Sequence, residues 1–325
     1  MRDYRELNAA GQIARLRPLA WQAARAFGIE PDDVRIVLHS FNTTFRVFTR
    51  DGRSFALRLN TGSGRSVAAI QAEVEWVSAL AADGIIGVAE PQATPDGDRV
   101  VAVNGPLGEV RCVMSTWLPG TLASKRPDPS ITFQLGSVTR LLHEQASRWQ
   151  IPAGAEFHPL PNTLWGFDWQ FTPSPLSRRV FDSAEKALQR VQSGRRIPIH
   201  FDLHLHNVLV HQGALFIIDF DDCLCSAPIL DSSVTVFALR HQENAEELEA
   251  AYWRGLGEDP DALEISRHEF EMLVAGRALL MANEFFRMSS AGAQNMKLNY
   301  RDLTEARLRR FEETGIFDPR MPLQQ

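Results

Sequence analysis

Three cysteines among 325 residues, Cys112, Cys223 and Cys225, are too few and too scattered for a disulfide framework, which fits a reducing compartment. No apolar run is long enough to cross a bilayer, and Met1-Arg2-Asp3-Tyr4 lacks a signal-peptide pattern. The expectation is a cytoplasmic protein. Dense Lys/Arg blocks are also missing: 34 basic residues stand against 40 acidic ones, a net charge of −6. That balance argues against a dedicated nucleic-acid or anionic-membrane binder and leaves a small molecule as the natural partner. No internal repeat occurs. What is present, 44% hydrophobic and 23% charged residues, can bury a full core over a length sufficient for two lobes.

The chemistry concentrates in His200-Phe201-Asp202-Leu203-His204-Leu205-His206-Asn207 and the following Leu215-Phe216-Ile217-Ile218-Asp219-Phe220-Asp221-Asp222. Carboxylates, imidazoles and an amide stand there among apolar residues, and such groups are costly to bury without partners. Asn207 to Val210 and Ala214 to Ile218 read as short strands, with His211-Gln212-Gly213 for the reversal. Asp202, Asn207 and Asp219 offer hard oxygen ligands suited to Mg²⁺, and Asp202 has the alternative of orienting a hydroxyl. The spacing H-x-D-x-x-x-x-N with a later D-F resembles the catalytic loop and metal-binding aspartate of kinases.

In detail the chain resembles the aminoglycoside phosphotransferase/choline kinase family, nearest its homoserine-kinase-like and stress-response-kinase-like branch, where I-D-F-D-D followed by an aspartate near Asp231 is typical. The resemblance implies an α+β, two-lobed protein-kinase-like fold, with a small antiparallel-sheet N-terminal lobe (1–118, nucleotide-binding) and a larger mainly helical C-terminal lobe (119–325, catalytic and substrate-binding). It implies ATP and Mg²⁺, a small-molecule hydroxyl as acceptor, Asp202 as catalytic base, and Asn207 and Asp219 as metal ligands. His200 matches the loop histidine, a brace or a participant. Phe201 and His206 replace glycines usual in this loop.

Taken in order, Leu7 to Phe27 carries apolar residues at helical spacing, and Gly28 can end that helix. Val34, Ile36 and Leu38 alternate as a strand, and Ser40 to Thr44 forms a polar loop. It is either an ordinary turn or, by the resemblance, the loop over the ATP phosphates, with Ser40, Asn42 and Thr44 as contacts. Asp51-Gly52 closes a hairpin onto Ser54 to Leu59, whose alternation places Phe55, Leu57 and Leu59 on one face and Ala56 and Arg58 on the other. The resemblance puts Ala56 under adenine and Arg58 on the phosphates. Ser66 to Ala82 reads as an amphipathic helix with Glu73 at the edge of its apolar stripe, facing inward as a partner for Arg58, or else on the surface flank.

Glu109 to Met114 reads as a strand that breaks at Ser115-Thr116-Trp117-Leu118-Pro119-Gly120, where the resemblance places the adenine hinge, Thr116 and Leu118 included. Ile131 to Ala146 is helical, with His143 structural. Trp149 to Ser177 is irregular and rich in Pro, Trp and Phe, and such segments often serve function, so Trp165 and Trp169 are expected to line the substrate cleft. A helix from about Arg179 to Val191 follows. Asp231 is expected to cap a helix from Ser232 to His241. Arg277 and Glu284 interrupt a buried helical stripe and read as an ion pair or a substrate contact. Asp221, Asp222 and Glu284 are the acidic candidates for an amine on the acceptor.

Two other functions compete. His200, His204, His206 and His211 with Asp202, Asp219, Cys223 and Cys225 offer ligands for a zinc or di-metal hydrolase, and Phe201 keeps a catalytically silent nucleotide-binding module in view.

Overall fold

In a computed structural model of the chain, residues 3–62, 64–105, 107–157, 168–287 and 294–320 are described. They divide into two compact units. Met1–Gly120, Trp149–His158 and Phe216–Asp221 form the first, and Thr121–Arg148, Pro159–Leu215 and Asp222–Gln325 the second.

The first unit begins with helix α1 (Ala9–Ala26), started by the Asn8 side chain accepting the Gly11 N–H, a cap worth about 1 kcal/mol. Strands β1 (Asp33–His39), β2 (Thr43–Phe48) and β3 (Ser54–Asn60) follow, then helix α2 (Val67–Asp83), the short β4 (Gly87–Val88), β5 (Val101–Gly105) and β6 (Gly108–Thr116). The sheet order is β1-β2-β3-β6-β5, antiparallel throughout. Period-two alternation turns Phe45 and Val47 of β2 and Phe55, Leu57 and Leu59 of β3 into a core shared with Leu16, Leu19, Ala20 and Ala23 of α1. Each such side chain, once buried, stabilises by about 1.5–3 kcal/mol. On the opposite face Ile70 and Val74 of α2 pack on Val113 of β6. Strand β4 pairs in parallel with residues 216 and 217. The segment after Trp149 joins this unit through Phe157, whose ring lies edge-on to Trp76 and to Trp149, and through the Glu156 N–H to the Ala68 carbonyl.

In the second unit, β7 (Thr121–Leu122) leads to helices α3 (Pro129–Ala146) and α4 (Pro175–Gln192), then β8 (Ile197–Ile199), β9 (Val208–His211), β10 (Ala214–Ile217) and β11 (Leu224–Ser226). Helices α5 (Ile229–Leu239), α6 (Ala245–Leu256), α7 (Arg267–Arg287) and α8 (Gln294–Thr314) complete it. Strand β7 pairs with β9 and β8 with β11. Between β9 and β10, Gln212 and Gly213 both have positive φ, as a type I′ turn requires. Helices α3 and α6 touch backbone to backbone: a Cβ on Gly136 would lie 2.1 Å from the Tyr252 carbonyl oxygen, and one on Gly255 1.9 Å from that of Phe133.

Most elements lie where the sequence puts them, with four corrections. Strands β4, β5, β7, β8 and β11 and helix α6 are additional. Helix α4 starts four residues earlier than expected because Ser174 caps it and Pro175 takes the first turn. Asn207 ends a 3₁₀ turn (Leu205–Asn207) instead of opening the strand. Helix α5 starts at Ile229, so Asp231 lies within its first turn and is not its cap. Among the described residues no helix is long and apolar enough to cross a membrane.

Candidate active site

In the first unit, the face of β3 turned away from α1 carries Ala56 and Arg58. Helix α2 brings Glu73 to that face, and its side chain is buried. Arg58 Nη1 and Nη2 each donate to one Glu73 oxygen at 2.8 Å, a bidentate pair. A second arginine, Arg65, enters from the loop before α2. Its Nη1 donates to Glu73 Oε2 at 2.7 Å and to Asp221 Oδ1 at 3.0 Å, and its Nη2 donates to the Ala69 carbonyl at 3.2 Å. Asp221 Oδ1 also lies 3.6 Å from Arg58 Nη2, and the Asn42 amide donates to Asp221 Oδ2. Burial alone would lower the pKa of Arg58. Glu73, Asp221 and Asp219 outweigh it and hold the guanidinium above the ordinary arginine range. Arg58 Nε is nonetheless a buried donor with no acceptor among the described residues, and Asn42 Oδ1 is a buried acceptor with no donor there.

The loop Ser40–Asn42 joins β1 to β2 beside this cluster. It is drawn tight by the Ser40 N–H on the Asn42 carbonyl and by a 2.8 Å bond between His39 Nδ1 and Thr43 Oγ1. Gly62 makes room for it, since a Cβ there would stand 2.2 Å from the Phe41 carbonyl oxygen. Thr44 lies in β2 in register with Arg58. At the end of β6 the Thr116 N–H bonds the Glu90 carbonyl and the Trp117 N–H bonds that of Ser54. Leu118 follows them, half-buried, and its backbone N–H has no partner among the described residues.

The second unit holds the loop His200 to Asn207. Phe201 has φ 65°, the left-handed region that glycine enters freely and that costs a bulky residue about 1–2 kcal/mol. The compensation is Asp231, fully buried, whose carboxylate accepts the Phe201 N–H at 2.6 Å, the His200 N–H at 3.2 Å and His143 Nε2 at 2.8 Å. Asp231 is therefore the clamp of this loop. His200 Nδ1, buried, faces the Asp202 N–H at 3.3 Å, and Thr235 bonds the Leu203 carbonyl at 2.6 Å. Phe201 itself is buried, with the Arg277 guanidinium 6.0 Å from its ring centre.

Both oxygens of Asp202 are engaged. Arg277 Nη2 lies 2.6 Å from Oδ1, Asn207 Nδ2 donates to Oδ2 at 2.9 Å and to the Asp202 carbonyl at 2.8 Å, and His204 Nε2 is 3.4 Å from Oδ2. Burial would raise the Asp202 pKa, but the bond from His204 and the charges of Arg277, His204 and His200 bring it down to about 2. With Nδ2 committed to Asp202, the amide oxygen is the remaining polar atom of the Asn207 side chain.

The first unit thus unites Ala56, Arg58, Glu73, Asn42 and Asp221, with Asp219 near enough to act on Arg58; the second unites His200, Asp202 and Asn207. One sequence reading is corrected. The carboxylate on Arg277 is Asp202, from 75 positions away, where an ion pair with Glu284 was one of the two expectations. Asp221, a candidate for an acceptor amine, accepts from Arg65 and Asn42. Asp222 ends a 3₁₀ turn (Phe220–Asp222), and Glu284 is half-buried on α7. Trp169 packs its ring against Phe171 and Phe181, and Trp165 lies outside the described residues. Sequence reasoning missed Arg65 and the role of Asp231. Among the described residues no three His, Cys, Asp or Glu side chains gather as they would around a metal ion, so the hydrolase alternative has no ligand set there.

The profile of the phosphotransferase enzyme family (APH) matches residues 36–265. No curated protein matches in sequence. Among solved structures, a microcompartment-associated aminopropanol kinase is similar at TM-score 0.77 and 22% identity, over 93% of this chain and 99% of that one. Amicoumacin kinase hAmiN, in complex with AMP-PNP, Ca²⁺ and Ami, gives 0.72 and 20% over 92% and 96%. A choline/ethanolamine kinase family protein from Mesorhizobium loti gives 0.59 and 16% over 93% and 95%. The likeness establishes the fold as the kinase-like α+β fold, with an antiparallel sheet in the N-terminal unit and helices in the second.

Proposed function

We propose that this chain, which belongs to the phosphotransferase enzyme family, is an ATP- and Mg²⁺-dependent kinase acting on a hydroxyl of a small molecule. One observation carries the reading: on the face of β3 beside Ala56, Arg58 is pinned by two bonds to Glu73 of α2, while its side chain stays 15% exposed and its Nε has no acceptor among the described residues. A cation fixed in place with a donor still uncommitted is suited to an oxyanion.

The N-terminal part, residues 1–118, serves the nucleotide and residues 119–325 serve catalysis and the acceptor. Arg58, held by Glu73, binds phosphate oxygens; Ser40, Asn42 and Thr44 line their cover. Ala56 and the backbone of Thr116 and Leu118 receive adenine, for which the Leu118 amide, without a partner among the described residues, is a suitable donor. Asn207 and Asp219 would each supply a hard oxygen to Mg²⁺, which when bound would offset negative charge on the phosphates. Asp202 orients the acceptor hydroxyl and takes its proton, and His200 braces the loop. A carboxyl with a pKa near 2 is a weak base, so its main task is orientation, with proton transfer late in a loose transition state. The bound AMP-PNP of hAmiN and the name of the aminopropanol kinase support nucleotide use and an amino alcohol, amino sugar or homoserine-like acceptor. With Asp221 engaged elsewhere, Asp222 and Glu284 are the acidic groups for such an amine, beside an apolar wall from Trp169.

The test is ATP consumption over a panel of hydroxylated metabolites, followed by Asp202→Asn. The expected result is one or more phosphorylated alcohols, and a mutant that still binds nucleotide but loses roughly 10²–10⁴-fold in kcat. Near-normal turnover in a folded Asp202→Asn protein would remove Asp202 from the reaction.

A further inference from the structure

Resting on the nucleotide reading above, we propose that Arg65 is a second cation of the phosphate clamp and that Asp221 is its exchangeable counter-ion, the carboxylate that nucleotide phosphates displace. Nothing local marks Arg65 out. It follows Thr61-Gly62-Ser63-Gly64, a stretch with no side chain large enough to hold it in place. Its side chain is nevertheless only 8% exposed. An arginine ordered and buried out of such a loop loses rotamer entropy and hydration, which its partners must offset.

Those partners are shared with Arg58. Glu73 Oε2 accepts from both guanidinium groups, and Asp221 Oδ1 lies 3.0 Å from Arg65 Nη1 and 3.6 Å from Arg58 Nη2. Two guanidiniums face the carboxylates of Glu73 and Asp221, with Asp219 close enough to act on Arg58, and the cluster has no net positive charge for a polyphosphate. Of the two carboxylates that bond the arginines one must give way, and the two differ. Glu73 is 6% exposed, sits on a regular helix and holds Arg58 in a bidentate grip. Asp221 is 17% exposed and makes single bonds. Its other oxygen holds Asn42 in the loop between β1 and β2, the same loop expected to cover the phosphates.

Displacement of Asp221 would therefore do two things at once. It frees Nη hydrogens of Arg65 and Arg58 for phosphate oxygens, to which guanidinium geometry is suited, and it releases the Asn42 amide toward the same ligand. Glu73 remains and fixes the spacing of the two cations. The exchange is of one anion for another on the same donors, so neither guanidinium is left unpaired at its end.

The experiment needs no acceptor. Binding of Mg·ATP and of adenosine to the full chain is measured by titration calorimetry for wild type, Arg65→Ala, Arg65→Lys and Asp221→Asn, with circular dichroism as the check on folding. Arg65→Ala should weaken Mg·ATP roughly tenfold or more, as the loss of a charge-assisted bond implies, and leave adenosine unchanged. Arg65→Lys, the variant that keeps the charge should the alanine protein fail to fold, should recover most of that affinity. Asp221→Asn should tighten Mg·ATP several-fold, again without effect on adenosine. Unchanged Mg·ATP affinity in folded Arg65→Ala, equal loss for ATP and adenosine, or weaker Mg·ATP binding in Asp221→Asn would each overturn the proposal. Wild type binding neither ligand would instead overturn the nucleotide reading on which it rests.

Discussion

Each unit buries an arginine between carboxylates, and the two clusters are finished to different degrees. In the second unit, Arg240 spends all five of its N–H groups: Nε and Nη2 on Glu249, Nη1 and Nη2 on Glu271, and Nη1 again on the Phe317 carbonyl, at 2.6–2.9 Å. Glu271, fully buried, also accepts from Arg267 and from the Phe317 N–H. Nothing remains for a ligand. In the first unit, Arg58 spends two N–H groups on Glu73, stands 3.6 Å from Asp221, and leaves Nε without an acceptor among the described residues. The saturated cluster ties α5, α6 and α7 together; the other keeps a donor uncommitted among the described residues. Charge is alike in both, whereas the Arg58 side chain is 15% exposed and that of Arg240 5%, so access and donor bookkeeping together separate the two clusters.

The largest effect expected from this comparison is on stability. Arg240→Ala leaves Glu271 buried without its main counter-charge and should cost about 3–5 kcal/mol, read from denaturant or thermal unfolding. Arg240→Met combined with Glu271→Leu removes the charge with its partner and should recover much of that loss. An Arg240→Ala protein as stable as wild type would show that saturation of donors is no guide to structural weight.

Next in size is the effect on the nucleotide. Arg58→Ala should weaken Mg·ATP roughly tenfold or more while costing less stability than Arg240→Ala, because Arg65 still neutralises Glu73. If Glu73 acts by positioning Arg58, the double variant Arg58→Ala/Glu73→Ala should bind Mg·ATP little worse than Arg58→Ala alone. Additivity of the two losses would mean that the residues work apart.

How far the sequence reaches follows the same division. Arg58 and Glu73 were legible because two local periods, 2.0 on β3 and 3.6 on α2, each turn one polar residue toward a buried face. The pairing of Asn207 with Asp202 lies within one loop, where spacing in the sequence already sets the two side by side. Arg65 was not legible, because its burial depends on Asp221, 156 positions away, and no periodicity acts on a Gly/Ser loop. Asp231 was misread because a carboxylate at a helix start is by local rule a cap, whereas here the strained backbone at Phe201 takes it. The early start of α4 had a local signal that went unused, Ser174 followed by Pro175. Arg277 was placed correctly on a buried stripe, but a stripe names a face and never the partner across it.

The smallest expected effect is the sharpest test of the comparison, since it keeps the charge at both sites. Lysine carries three donors on one nitrogen where arginine carries five on a planar fork. At position 240 five bonds converge from Glu249, Glu271 and Phe317, so Arg240→Lys must leave at least two of them unmade in a buried site. Each lost charge-assisted bond is worth about 1.5–3 kcal/mol. At position 58 the protein itself asks for two bonds, both to Glu73, and an ammonium can supply two. Arg58→Lys should therefore cost about 1 kcal/mol of stability or less, from the lost planar fit alone, and at least 1–2 kcal/mol less than Arg240→Lys in parallel unfolding measurements. Equal costs at the two positions would mean that Arg58 is as fully committed to the fold as Arg240, which would count against the phosphate role proposed for it.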